Sequence, residues 1–229
     1  MPEKFYQNKI YPLQDEILRL VQSSNVDFYL TGGTALSRHY LQHRYSDDLD
    51  FFVNNHPDFK NQCKKIIDSF KQSKQQFEVT TAADTFVRIM IEGNQLSLKI
   101  DFVNDVPFHY GGFERSETYN RIDNWRNILS NKICALSRLE PKDIIDIVFI
   151  SRKYSFNWED IFEEAKKKDI WTEPLKICKI IKEAPAESFQ IIKWITAVNT
   201  DEILKTLAKL HDDIFYGNIN SLSTKWTRK

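Results

Sequence analysis

The sequence predicts an α+β protein in which a mixed-sheet lobe is followed by a C-terminal helical lobe, and three observations carry that expectation. Short β-favouring runs alternate with helical spacing through the first half of the 229 residues. After Trp125 the pattern becomes almost wholly helical, and Pro141, Pro174 and Pro185 punctuate it as helix starts and stops. The expected division is residues 1 to 125 and residues 126 to 229, two lobes sharing a cleft.

A leading helix is expected from about Pro12 to Gln22, where apolar residues recur at helical spacing. Phe28-Tyr29-Leu30 is a short apolar, β-favouring run; Gly32-Gly33 then lets the chain turn sharply before helical spacing resumes over Ala35 to Leu41. Leu49 to Val53 reads as a second strand and Asp58 to Ser73 as a lysine-rich amphipathic helix. Phe77 to Thr81, Thr85 to Glu92 and Leu96 to Val103 are β-rich, and Gly93-Asn94 suits a hairpin turn between the last two. Six helices are expected in the second lobe: Ile128 to Leu139, Lys142 to Lys153, Trp158 to Lys168, Glu173 to Lys182, Ser188 to Val198 and Asp201 to Phe215.

Composition narrows the function classes. A hydrophobic content of 41% with 16 Phe, 9 Tyr and 5 Trp is that of a globular chain with a proper core, and no apolar run approaches the ~20 residues needed to span a bilayer. The start lacks a basic-then-apolar secretory pattern, and Cys63, Cys134 and Cys178 are far apart and odd in number, so a reduced, cytoplasmic protein is expected. Each cysteine reads as a small buried hydrophobe. Lys plus Arg equals Asp plus Glu at 32 each, so there is no global basic field of a dedicated nucleic-acid binder. Local basic runs remain at Lys64-Lys65 with Lys71 and Lys74, at Lys166-Lys167-Lys168 and at Lys225 to Lys229, and each reads as a solvated face.

The residues that carry chemistry are concentrated early. Backbone N–H groups at a Gly32-Gly33 turn and helix start are unpaired and carry the positive end of the helix dipole, so they suit a phosphate, and Thr34 adds a hydroxyl. On the next strand Asp48 and Asp50, two residues apart, project from one face, while Leu49, Phe51 and Val53 project from the other. Two neighbouring carboxylates repel each other unless a cation neutralises them, and oxygen-only ligation suits magnesium or manganese. Farther on, Leu98, Ile100 and Phe102 alternate with Ser97, Lys99 and Asp101, so a strand paired beside the Asp-x-Asp strand would bring Asp101 in as a third carboxylate, with Lys99 as a charge partner. In the second lobe Asp143 and Asp146 share a helix face. Asp143, in the first turn after Pro141, has an equally good reading as a dipole-favoured helix-start residue, and Lys132 is a point charge able to neutralise a triphosphate. Gly-x-x-x-x-Gly-Lys-Ser/Thr, Gly-x-Gly-x-x-Gly and His-Glu-x-x-His patterns are absent from the sequence.

Gly32-Gly33-Thr34, the Arg44-x-Ser46-x-Asp48-Leu49-Asp50-Phe51 run, Lys99-Ile100-Asp101 and the Lys132-x-x-Ala135-Leu136 segment leading to Lys142-Asp143-x-x-Asp146 resemble the AbiEii/AbiGii nucleotidyltransferase toxins of the DNA polymerase β-type superfamily. The motifs recur in order from residue 28 to about 150, and Thr34 stands where the superfamily commonly has serine. The resemblance implies Asp48 and Asp50 as metal ligands, Asp101 as third ligand or base, Gly32, Gly33 and Thr34 as the triphosphate holder, Lys132 as a phosphate contact, and Asp143 or Asp146 as later acids of the nucleotide site. It further implies Mg2+ or Mn2+ as cofactor, an NTP as substrate, tRNA ends as acceptors in some members, and a cognate antitoxin as partner. Two other readings remain: a nucleotidyltransferase acting on a small hydroxylated molecule, as antibiotic-modifying ones do, and a non-catalytic nucleotide-binding module.

Overall fold

Alternation of apolar and polar residues gives the sheet one greasy face, and the structure builds its first core on it. In a computed structural model of the protein, residues 2–73, 75–93 and 96–223 are described, and the chain divides into two compact units, Met1–Asn124 and Trp125–Lys229.

In the first unit, helix α1 (Pro2–Phe5) runs through a π-helical turn, Tyr6–Ile10, into α2 (Tyr11–Ser23). The helix thus begins well before Pro12, where the sequence placed its start. The Tyr11 N–H bonds back to the Tyr6 carbonyl, a five-residue step, and the widened turn admits a proline that has no N–H of its own. Strand β1 (Tyr29–Thr31) leads into α3 (Gly32–Ala35), continued by a second π segment, Leu36–Leu41. Then come β2 (Leu49–Asn54), α4 (Phe59–Gln72), β3 (Phe77–Ala82), β4 (Phe86–Gly93) and β5 (Leu96–Asp105). The sheet order is β1-β2-β5-β4-β3, with β2 and β5 parallel and the other pairs antiparallel. Gly93 pairs with Leu96, so the β4–β5 hairpin closes over two residues; the expected turn residue Asn94 lies outside the described residues, as do Lys74 and the basic run from Lys225 to Lys229.

Leu49, Phe51, Leu98, Ile100 and Phe102 are fully buried on one face of the sheet, and Phe28, Phe59 and, from α2 and α4, Ile17, Val21, Ile66 and Phe70 are buried too. Phe51 stacks on Phe102 with ring centres 5.2 Å apart, and Phe28 meets Phe102 edge to face at 5.0 Å. Each such ring contributes about 1.5–3 kcal/mol by burial, so this face holds the sheet to its helices and the other is left for polar residues. Cys63 belongs to the same core, and burial pushes its thiol up to about 12, which leaves it inert at neutral pH. A segment between β5 and the second unit returns to β1: Leu30 donates to the Arg121 carbonyl and Asp123 donates to the Leu30 carbonyl, at 2.9 and 2.8 Å.

The second unit contains α5 (Trp125–Ala135), α6 (Pro141–Lys153), α7 (Trp158–Lys168), α8 (Pro174–Glu183) and α9 (Thr200–Phe215), with α5 against α6 and α7, and α8 against α9. The helix expected over Ser188 to Val198 is instead a 3-10 turn, Ala186–Ile191, followed by irregular chain. Phe189 and Ile192, three apart, are buried while Ile191 is exposed, a spacing that a three-residue turn satisfies and that leaves the β-branched run after it without helical support. The Lys166-Lys167-Lys168 run is not a uniformly solvated face. Lys168 reaches back to α5, its ammonium within 2.6–2.7 Å of Asn127 Oδ1, Ser130 Oγ and Asn131 Oδ1, and Lys166 pairs with Glu173. Among the described residues no helix is long and apolar enough to cross a membrane.

Candidate active site

The Gly32-Gly33 turn is demanded by its surroundings. Gly32 has φ +69°, and a Cβ there would run into the Asp50 carboxylate; at Gly33 a Cβ would lie 2.6 Å from Arg44 Nη2 and 2.9 Å from Ser46 Oγ. Arg44 and Ser46 are thus the side chains crowded against Gly33, a reason for the Arg-x-Ser spacing that counting residues alone does not reveal. Thr34 is fully buried and its hydroxyl donates to the Asp48 carbonyl, tying the turn to the segment that carries the first aspartate. Tyr6 donates to the neighbouring Asp47 and Gln14 donates to the Ser46 carbonyl at 3.0 Å, so the leading helix grips the same segment. Gly32→Ala is expected to lower the unfolding free energy by about 1–3 kcal/mol, read as a shift in the urea midpoint. A midpoint equal to that of the wild type would contradict the close approach.

The strands set out a polar row across the other face of the sheet. Thr31 pairs with Asp50, Asp50 with Asp101, and Asp101 with Arg88, on four neighbouring strands. Directly opposed residues share a face, so the register places the Asp50 and Asp101 side chains next to each other, with Gly32 against Asp50. Arg88 donates two hydrogen bonds to Asp101, at 2.7 and 2.8 Å, and Lys99 Nζ lies 2.9 Å from Asp48 Oδ2 and 3.9 Å from Asp101 Oδ2. The hydrogen bond to Asp101 raises the guanidinium pKa of Arg88 further. Burial acts to lower that of Lys99, but the Asp48 hydrogen bond and the charges of Asp48, Asp101 and Asp50 outweigh it and leave it raised. Both cations therefore stay charged at any physiological pH and offset the mutual repulsion of the carboxylates.

Asp48, Asp50 and Asp101 offer oxygen donors of the kind Mg2+ or Mn2+ takes, and the missing side chain at Gly32 is what lets the Asp50 carboxylate come up against the turn. Among the described residues no three of His, Cys, Asp and Glu already stand as a metal-ligating group. The donor set fits a divalent ion in chemistry, while Arg88 and Lys99, drawn in among the acids, already occupy Asp101 and Asp48.

In the helical unit, Lys132 Nζ lies 2.6 Å from Asp143 Oδ1 and 2.7 Å from Asp146 Oδ2, and Arg138 Nη2 lies 2.8 Å from Asp143 Oδ2. Both aspartates are fully buried and the Lys132 side chain is 9% exposed. Asp143 stands in the first turn of α6, as expected of a dipole-favoured acid, and its carboxylate also takes Lys132 and Arg138. The two acids at i and i+3 serve one buried ammonium. Sequence reasoning passed over Arg88 and Asp123; for Arg88 the hairpin register was the available signal, and for Asp123, 92 positions from Thr31, there was none.

A mixed sheet carrying a glycine turn and a carboxylate row on one face is the architecture of a nucleotidyltransferase. Over residues 18–215 the chain matches the family model described as Nucleotidyl transferase AbiEii toxin, Type IV TA system, and the chain belongs to that family. Two solved structures share the fold: one from H. pylori described, provisionally, as a nucleotidyltransferase, with TM-score 0.58, 20% identity and coverage of 89% of this chain and 94% of that one, and JHP933 from Helicobacter pylori, with TM-score 0.57, 20% identity and coverage of 89% and 90%. Nothing among curated proteins matches the chain.

Proposed function

We propose that this AbiEii-family enzyme transfers a nucleoside monophosphate from an NTP to the hydroxyl of a tRNA end, with Asp48, Asp50 and Asp101 holding divalent metal. The observation that supports it most directly is the register that sets Asp50 beside Asp101 and against the Gly32 turn. The acceptor oxygen attacks the α-phosphorus, the bond from that phosphorus to the bridging oxygen breaks, and pyrophosphate leaves. Asp101 takes the acceptor proton on one oxygen once Arg88 has released both. A bound Mg2+ or Mn2+ supplies charge neutralisation for the attacking and leaving oxygens. The backbone of Gly32, Gly33 and Thr34 holds the triphosphate, while the Thr34 hydroxyl positions Asp48. Arg88 and Lys99, freed from the acids, have phosphate oxygens to turn to.

In the helical unit the family pattern supports Lys132 as a phosphate contact and Asp143 and Asp146 as nucleotide-site acids; the buried pairs commit the Lys132 ammonium to those two carboxylates, so a phosphate has to draw it away from them. The proposed substrates are cytoplasmic, which places the enzyme there, with a cognate antitoxin as its counterpart.

Incubation with each α-labelled NTP, Mg2+ and total RNA is expected to move label onto tRNA. Label on a small molecule alone would make that the acceptor class, and no label on any acceptor under conditions where NTP binds would overturn the transfer reading.

A further inference from the structure

Asp123 is fully buried at the β1 end of the polar row. One of its carboxylate oxygens accepts the Thr31 hydroxyl at 2.6 Å, and the other lies 3.0 Å from His109 Nε2. Its backbone is fixed as well: the N–H goes to the Leu30 carbonyl at 2.8 Å and the carbonyl takes the Tyr40 hydroxyl at 2.9 Å. His109 packs against Tyr29 and Phe113, with ring centres 5.1 and 4.6 Å away, and its side chain is 12% exposed. Tyr29 is two residues from Thr31 on β1 and so shares its face, which puts this assembly on the same side of the sheet as Asp50 and Asp101.

Thr31 occupies the capping position of α3, with φ −133° and ψ −164°, yet makes no side-chain cap. A threonine there ordinarily accepts from backbone N–H groups two or three residues on, satisfying donors that would otherwise be unpaired. In this protein the hydroxyl is drawn to a buried carboxylate instead. The withheld cap belongs to the turn that the transfer reading assigns to the triphosphate, and Thr31 is also the residue directly opposite Asp50. We propose that Asp123, backed by His109, is a positioning residue for the NTP: it holds the Thr31 hydroxyl away from the Gly32–Thr34 turn, so that the turn's N–H groups are kept for phosphate oxygens.

The inference rests on the transfer reading, and a probe without a nucleobase separates the two. Binding of inorganic tripolyphosphate with Mg2+ to the full chain is measured by calorimetry, alongside KM and kcat with NTP. Asp123→Leu releases the threonine hydroxyl to cap the turn, and is expected to weaken tripolyphosphate binding and raise KM about tenfold with kcat within about twofold. Adding Thr31→Val removes the competing hydroxyl and is expected to return both to within about twofold of the wild type. A merely structural Asp123 would give a double variant as weak as the single or weaker, and that result, or an Asp123→Leu chain that binds as tightly as wild type, overturns the inference. Where Asp123→Leu does not fold, Asp123→Asn, which keeps the volume and offers a weaker acceptor, is read in the same way. A wild-type chain that binds no tripolyphosphate overturns the phosphate reading and this inference together.

Discussion

Asp50→Asn is expected to lower kcat/KM for nucleotidyl transfer by about 10^3-fold or more, a loss of ~4 kcal/mol of transition-state stabilisation, while the chain remains folded. Asp50 stands at the middle of the row, between Thr31 and Asp101, with Gly32 closed down onto it. An amide keeps its shape and loses its charge, so packing changes little and cation affinity falls sharply. The same change relieves repulsion between neighbouring carboxylates, so the melting temperature without added metal is expected to hold or rise. Mn2+ is expected to raise the melting temperature of the wild type and not of the variant. Label transfer within tenfold of wild type, measured at saturating Mg2+ and NTP, would remove Asp50 from the centre of the chemistry.

Lys132→Met is expected to destabilise the helical unit by about 3–5 kcal/mol, because it strands Asp143 and Asp146 as buried carboxylates without their shared ammonium. Arg138 compensates weakly: it reaches Asp143 alone, and its side chain is 61% exposed. Adding Asp143→Asn and Asp146→Asn to Lys132→Met is expected to recover most of the lost stability, since the penalty lies in unpaired charge more than in lost attraction. Urea unfolding followed on the helical signal reads both variants. A triple variant no more stable than the single one would mean that Lys132 contributes through packing rather than charge.

How much of this was legible depends on how far along the chain each contact reaches. Gly32 and the Asp48–Asp50 pair could be read because a turn and a two-residue alternation are local. The greasy side of β5 was equally local. The Asp50–Asp101 pairing was readable as a condition alone, since β2 and β5 are parallel and α4 and two strands come between them. Arg88 lay closer to reach. Centring the β4–β5 hairpin on Gly93-Asn94 sets Arg88 opposite Lys99, like against like, whereas moving the turn on by one residue sets it opposite Asp101, and the structure takes the second register. Charge complementarity across the hairpin would have chosen it. The buried Lys132 ion pairs could not be distinguished from a helix-start aspartate and an exposed lysine, because position in a first turn fixes dipole energy but not burial. The Ser188 to Val198 misreading has the reverse cause: a run of apolar residues fits two periods, and tertiary contacts at Phe189 and Ile192 decide for the shorter.

The return of residues 121–123 to β1 has a consequence for how the sheet meets other chains. On that side Leu30 already donates to Arg121 and accepts from Asp123, so a foreign strand finds that part of the β1 edge taken. The opposite border, β3, carries outward-facing Glu78, Thr80 and Thr81 and a register shift between Val79 and Thr81 that interrupts its ladder. One margin of the sheet is sealed by its own chain and the other is made irregular. Strand exchange between copies is thereby discouraged at both ends, by covalent continuity at one and by poor templating at the other.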